Sequence, residues 1–252
     1  MIKFYFLILY KTHFFVAKVF KQFKVRPKRQ KFDILTQLSP NLTIKYSLNG
    51  YRHFRDYYKN AEIETWNFLA RNLDSSGAII DVGANVGQFS LVAQKILASK
   101  DAMLPRIICF EPVKTNYELM KANFEENGLR AESYNLAIGH IPAKESLSIH
   151  EVYGRLKTTE VFIIESLDSL MKDLKLSSVQ LLKIDTDGFE LQVLKGAKQF
   201  LEIYKPKILI ELNLDVAKEL GIDLSLIEFE LTSIGYIKEA VFDNENALFI
   251  SR

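Results

Sequence analysis

The stretch Ile79-Ile80-Asp81-Val82-Gly83-Ala84-Asn85-Val86-Gly87-Gln88-Phe89 decides how the rest of the chain folds. Its apolar start reads as a buried strand, its glycines as a turn, and its last residues as the opening of a helix. A strand–turn–helix of this kind presents backbone N–H groups to a ligand at the head of an α/β sheet. The spacing narrows the ligand. A dinucleotide fingerprint beginning at Gly83 needs glycines at 85 and 88, which are Asn85 and Gln88. A phosphate-cradling loop needs a Gly-Lys-Ser/Thr ending, and the turn lacks one. What remains, D-x-G-x-N-x-G, lets a small ligand lie close to the backbone and suits S-adenosylmethionine better than NAD or ATP. Gly–turn–helix junctions also merely end strands, so the other strand ends must support this reading.

Outward from the turn, apolar periodicity alternates between strand and helix. Strands are expected at 78–82, 106–110, 132–136, 180–184 and 207–212, with a closing hairpin at 236–241 and 247–250. Helices are expected at 60–73, 89–98, 116–126, 167–174, 191–203, 215–220 and 224–234, the third closed by Asn127-Gly128. Residues 42–46 read as a short strand, and 146–151 with 160–164 as two strands around a loop at 153–158. Repeated βαβ units imply a parallel sheet covered on both faces, with its ligand crevice beyond the carboxyl ends of the strands.

Those ends carry the chemistry. Glu111-Pro112 closes the second strand of the unit, where an acid can accept hydrogen bonds from both ribose hydroxyls of a nucleoside. Asn135 closes the third, close enough to flank a purine. The fourth ends in Asp185-Thr186-Asp187-Gly188-Phe189-Glu190 and the fifth in Glu211. Four carboxylates therefore point toward one rim, where they could deprotonate a hydroxyl, hold a divalent cation or cap a helix. Asp187 is also a good N-cap for a helix opening at Gly188, and Glu190 favours the dipole of a first turn. Asp185 and Glu211 follow apolar runs and should be partly desolvated. His140 is a lesser candidate base.

Composition bounds the rest. The 252 residues are 48% apolar and 25% charged, ordinary for a globular α/β domain. The single cysteine, Cys109, lies in the apolar run 107–110 and reads as a small hydrophobe. Four scattered histidines offer no zinc-ligand spacing, and no metal is expected. Residues 1–31 contain nine Lys/Arg and no acid, leaving 24 basic against 31 acidic residues in the remainder. An acidic body argues against nucleic acid as a partner. In residues 1–24 the lysines gather on one side of a helix, among Phe, Tyr, Leu, Ile and Val. That pattern fits a basic amphipathic helix on an anionic membrane surface, with 26–31 as a polybasic extension; packing on the protein itself is the alternative. Residues 25–33, with Pro27, read as a linker, which divides the chain into a segment 1–33 and a domain 34–252.

Taken together, several blocks resemble the FkbM family of methyltransferases. They are Asp81–Gly87, Phe110-Glu111-Pro112, 135–139, 166–170, Lys183-Ile184-Asp185-Thr186-Asp187-Gly188-Phe189-Glu190 with 193–197, and Ile210-Glu211. The likeness spans about residues 60–213 and is most specific in the Lys183–Ala197 block. It departs at Asp187, where the family usually carries Glu. The resemblance implies a Rossmann-like class I methyltransferase fold, with a mostly parallel seven-stranded sheet, helices on both faces and an antiparallel C-terminal hairpin. It implies S-adenosylmethionine as cofactor and a hydroxyl of a sugar, glycan or other small molecule as acceptor. Cofactor-binding residues are then expected to be Asp81, Gly83, Ala84, Asn85, Gly87, Glu111, Pro112, Asn135 and Asp185. Catalytic candidates are Asp185, Asp187, Glu190 and Glu211. The place expected for such an enzyme is the cytoplasmic face of a membrane. A degenerate, non-catalytic assembly subunit is the competing reading.

Overall fold

Strand and helix begin to alternate at residue 63 in the computed structural model, which describes residues 29–39, 42–51, 62–100, 103–151, 156–243 and 245–252. Ahead of that point, Arg29–Ser39 (β1) and Leu42–Tyr51 (β2) pair as an antiparallel hairpin. Then come Ile63–Asn72 (α1), Ala78–Val82 (β3), Gln88–Ser99 (α2), Ile107–Phe110 (β4), Lys114–Asn127 (α3) and Glu132–Tyr134 (β5). Ala137–Ile138 (β6), Ala143–Glu151 (β7) and Leu156–Glu165 (β8) form a separate three-stranded sheet in the order β6-β8-β7. Leu167–Leu174 (α4), Val179–Ile184 (β9), Glu190–Lys195 (α5), Lys198–Tyr204 (α6) and Lys207–Glu211 (β10) resume the alternation. Leu214–Leu220 (α7), Ser225–Ser233 (α8), Tyr236–Phe242 (β11) and Asn246–Ser251 (β12) complete it.

The main sheet has seven strands in the order β11-β12-β10-β9-β3-β4-β5. The five from β10 to β5 are parallel, and β12 runs antiparallel to both of its neighbours, β10 and β11. This is the expected Rossmann-like arrangement, a mostly parallel sheet with helices on both faces and an antiparallel hairpin at its C-terminal edge. Strand order reverses between β3 and β9, so the crevice at that switch point opens beside Gly83 and Asp185.

Alternation of side chains splits the core into two layers. Ile79, Ile107, Leu181, Leu209 and Leu248 face α1, α2, α3 and the β1–β2 hairpin. Ile80, Ile108, Leu182, Ile208 and Phe249 face α4, α5, α6 and α8. Strand β3 is buried along its whole length, which explains its unbroken apolar run around one acid.

Four expectations need correction. Residues 29–33, expected as linker, belong to β1, whose Phe32, Ile34 and Thr36 alternate inward. The strand expected at 42–46 runs on to Tyr51 as β2. The helix expected at 191–203 is two helices, because Gly196 lies so close to the Gly139 backbone that a Cβ there would sit 1.9 Å from its carbonyl oxygen. Asp168 then caps the second helix, accepting from Phe200 N–H at 2.8 Å and Gln199 N–H at 3.2 Å. Residues 156–158 of the expected loop lie in β8, and 152–155 fall outside the described residues, as does the amphipathic segment 1–24. Among the described residues, no helix is long and apolar enough to cross a membrane.

Candidate active site

The turn after β3 is held by its neighbours' backbones. Gly83 and Ala84 N–H both donate to the Phe110 carbonyl, at 2.9 and 3.0 Å, and Gly87 N–H donates to Ala84 at 2.7 Å. Gly83 has φ 81, and a Cβ there would lie 1.7 Å from the Asp185 carbonyl oxygen, so only glycine lets β3 and β9 end side by side. Gly87, also left-handed, sits against Phe124 and Met120 of α3, where a Cβ would come within 2.5 Å of the Phe124 ring. Both glycines thus serve close packing of the protein. Asn85 is the residue left for a ligand. It holds φ 50, and its buried Oδ1 has no hydrogen-bond partner among the described residues.

Glu111 sits beneath this turn, 4% exposed. Its Oε2 accepts from Asn85 N–H at 2.8 Å and its Oε1 from Val113 N–H at 2.9 Å. Burial pushes its pKa up to about 7 against the pull of those two N–H groups, and the charge of Asp187 adds to the rise. The Asn116 side chain gives this carboxylate a third hydrogen bond, which leaves one further lone pair for a hydroxyl donor. Asn135 straddles the adjoining loop, its Nδ2 donating to the carbonyls of Glu111 and Pro112, both at 2.8 Å. An unpaired carbonyl oxygen at Asn85 and an acid with one spare lone pair at the β4 end fit the nucleoside part of S-adenosylmethionine.

Asp81 does not join them. It is fully buried, facing the α2 side of the sheet, where Ser90 Oγ donates to its Oδ2 at 2.7 Å and lies 3.2 Å from Cys109 Sγ. Burial raises its pKa, with the Lys183 charge opposing. The expectation that Asp81 binds cofactor is therefore corrected: its strand position turns it inward.

The β9 and β10 ends build the acidic rim. Asp185, Asp187 and Glu211 each bring a carboxylate oxygen within 4.8 Å of the others. That spacing would suit a divalent cation, yet the chain supplies its own: Lys183, 4% exposed, donates to Asp185 Oδ2 at 2.6 Å and lies 5.3 Å above the Phe89 ring. Burial opposes ionisation of Asp185, but Lys183 and a hydrogen bond from Glu211 outweigh it and hold its pKa below the ordinary value. Burial and the neighbouring Asp185 charge push Glu211 well up, so Glu211 keeps the proton it donates to Asp185. Asp187 occupies a left-handed position, φ 52, at the exposed edge of the cluster. Its carboxyl is shielded on the protein side, and with the charges of Asp185 and Glu190 its pKa is pushed up to about 7.

Two expectations about this loop change. Asp187 does not cap a helix: α5 starts behind Phe189 without a side-chain cap. Glu190 is 4% exposed and turned onto the loop itself, its Oε1 accepting from Thr186 N–H, Thr186 Oγ1 and Gly188 N–H at 2.9–3.0 Å. It shapes the loop that carries Asp187 and does not belong to the three-carboxylate cluster. Lys183 and Glu245 were missed as site residues. A lone lysine inside the apolar run 181–184 was a readable signal. Glu245, whose charge raises Glu211 and Asp187, comes from the distant β11–β12 turn and left none. His140 is exposed on the segment after β6.

Comparison with known proteins bears on this site. The methyltransferase FkbM domain matches residues 81–238. No curated protein matches the chain. Among solved structures, methyltransferase FkbM from Methylobacillus flagellatus KT is 19% identical with a TM-score of 0.48, over 71% of this chain and 44% of that one. The chain thus spans less than half the length of that protein. Precorrin-6y C5,15-methyltransferase from Geobacter metallireducens GS-15 is 13% identical, TM-score 0.43, over 75% of this chain and 88% of that one. A methyltransferase from Pyrococcus furiosus is 13% identical, TM-score 0.41, over 76% and 82%.

Proposed function

The chain belongs to the FkbM methyltransferase family, and from that premise we propose that it transfers the methyl group of S-adenosylmethionine to a hydroxyl oxygen of a sugar, glycan or glycolipid precursor. The cofactor supplies an electrophilic methyl group on a sulfonium. The 83–87 turn, with Asn85, would hold its nucleoside end, and Glu111 would accept from a ribose hydroxyl. Asp187 would accept the acceptor's hydroxyl proton when that oxygen takes up the methyl group. Lys183 and the protonated Glu211 keep Asp185 a fixed charge beside it. Alignment of acceptor and donor contributes ~7–11 kcal/mol to lowering the barrier, and a positioned base ~10²–10⁴-fold in rate.

One observation carries this reading. Asp187 stands at the open edge of the crevice with its carboxylate within 4.8 Å of those of Asp185 and Glu211, and burial with the neighbouring charges pushes its pKa up to about 7. A base for an alcohol works best with a pKa close to the operating pH. The rim's several carboxylates favour an acceptor rich in O–H donors and repel an anionic one. The test is transfer from S-adenosylmethionine labelled in its methyl group to extracts of the native cell. Label in an alkali-stable ether on a sugar-containing molecule supports the proposal; label confined to protein, nucleic acid or amine nitrogen sinks it.

The segment 1–24 extends the proposal to the inner face of a membrane, on the strength of its lysine stripe and apolar remainder. Its removal should leave cofactor affinity unchanged and abolish sedimentation with vesicles containing anionic lipid. Equal sedimentation of both forms refutes the anchor.

A further inference from the structure

Strand β2 has one edge paired with β1 and one edge turned to α3, and that second edge is closed by two asparagines. Asn127 Oδ1 accepts from Ser47 N–H at 2.9 Å while its Nδ2 donates to the Ser47 carbonyl at 2.6 Å. Four residues earlier, Asn123 Oδ1 accepts from Asn49 N–H at 2.6 Å and its Nδ2 donates to the Asn49 carbonyl at 3.1 Å. Positions i and i+4 of a helix are about 6 Å apart along its axis, and positions i and i+2 of a strand about 6.7 Å. Two side-chain amides on a helix can therefore stand in for two peptide groups of a missing strand.

Asn123 does more than close the edge. Its Nδ2 also donates to the Val86 carbonyl at 2.8 Å, inside the turn between Gly83 and Gly87, and the residue is fully buried. A second link runs beside it: Gln88 Nε2, the first side chain after that turn, donates to the Tyr46 hydroxyl at 2.8 Å. Tyr46 is 2% exposed, and burial pushes its pKa up, so the hydroxyl stays neutral. Strand β2 thus reaches the end of the turn twice, through Asn123 at Val86 and directly through Tyr46 at Gln88.

We propose that the β1–β2 hairpin is a working part of the cofactor site, with Asn123, Tyr46 and Gln88 as positioning residues that couple its docking to the order of the 83–88 turn. The hairpin lies upstream of the family match, and the proposal rests on the cofactor reading above. Coupling of this kind is reciprocal: a ligand that orders the turn must tighten the hairpin, and a loosened hairpin must weaken the ligand by the same factor.

The test is hydrogen exchange of the full chain with and without S-adenosylmethionine, beside calorimetric affinity and an unfolding midpoint. The expected result is slowed exchange at 83–88 and also at 42–51. In Asn123→Asp, which turns a donor into an acceptor opposite two carbonyls, protection should stay at 83–88 and disappear from 42–51, with cofactor affinity weaker by about fivefold to tenfold. Tyr46→Phe removes one hydroxyl and keeps the ring; it should weaken the cofactor about threefold with little change in midpoint. Protection limited to 83–88 in the native chain overturns the proposal and leaves the cofactor reading standing. An absence of binding overturns both. If Asn123→Asp does not fold, Tyr46→Phe decides: unchanged affinity with an unchanged spread of protection overturns the coupling. A lowered midpoint at constant affinity marks a scaffold and also overturns it.

Discussion

The two ends of the crevice are built differently. At the β3–β4 end the geometry is fixed by backbone: Gly83, Ala84 and Asn85 donate their N–H groups to Phe110 and Glu111, and no side chain could replace hydrogen at Gly83. At the β9–β10 end it is fixed by charge: Lys183 is ion-paired with Asp185, and the carboxylates of Asp185, Asp187 and Glu211 lie within 4.8 Å of one another. A backbone-built region fails when volume is added. A charge-built region tolerates isosteric change in shape and fails in chemistry. The comparison shows one strained non-glycine residue at each end: Asn85 and Asp187 both hold positive φ on loops at this crevice.

The largest effect tests the backbone end. Gly83→Ala puts a Cβ 1.7 Å from the Asp185 carbonyl at φ 81, so β3 and β9 must part at their carboxyl ends. Denaturant titration should register a loss on the order of 4 kcal/mol, in the range kept for severe backbone conflicts. A loss under about 1 kcal/mol would mean that strand ends move freely here, and the contrast would collapse. Next comes the charge end. Asp187→Asn keeps the shape and removes the base, so kcat should fall by ~10²–10⁴ while cofactor affinity stays within about twofold. The native rate should rise with pH through about 7, the Asp187 pKa, because only the ionised form accepts a proton. A kcat unchanged in Asp187→Asn would move the base elsewhere on the rim.

The same contrast governs what could be read from sequence. Elements set by local periodicity, such as the buried run of β3 and the Gly128 end of α3, were legible because neighbouring residues alone dictate them. So was Glu111, whose place follows from strand order. Three features were not, and each depends on residues far apart in the chain. Helix α5 stops at Gly196 because the Gly139 backbone lies against it. Glu190 looked like a member of the acidic rim, yet the left-handed turn at Asp187 and Gly188 swings the loop back so that its N–H groups meet that carboxylate. Strand β1 was hidden by Pro27 and the basic run before it, and by Leu35, which is apolar but faces out.

The smallest effect joins the two ends. Glu111 is a charge-type residue serving the backbone-type region, and its pKa of about 7 stands above the ordinary 4.5. A carboxyl raised on folding adds stability that is fully present below about pH 4.5 and is lost as pH rises through about 7. Ribose hydroxyls donate, so a bound nucleoside favours the ionised form and opposes that loss. Cofactor affinity should therefore rise about tenfold between pH 6 and pH 8, as a group with pKa about 7 passes from mostly protonated to mostly ionised. Glu111→Gln should flatten that rise and weaken binding by about 1.5–3 kcal/mol at pH 8, the worth of hydrogen bonds to a charged group. Asp187 titrates in the same window, so calorimetry belongs in the Asp187→Asn background, where loss of that charge moves the Glu111 rise to lower pH. A pH dependence that survives Glu111→Gln there would place the titrating group outside the turn, and the acid at the end of β4 would be left with a purely structural task.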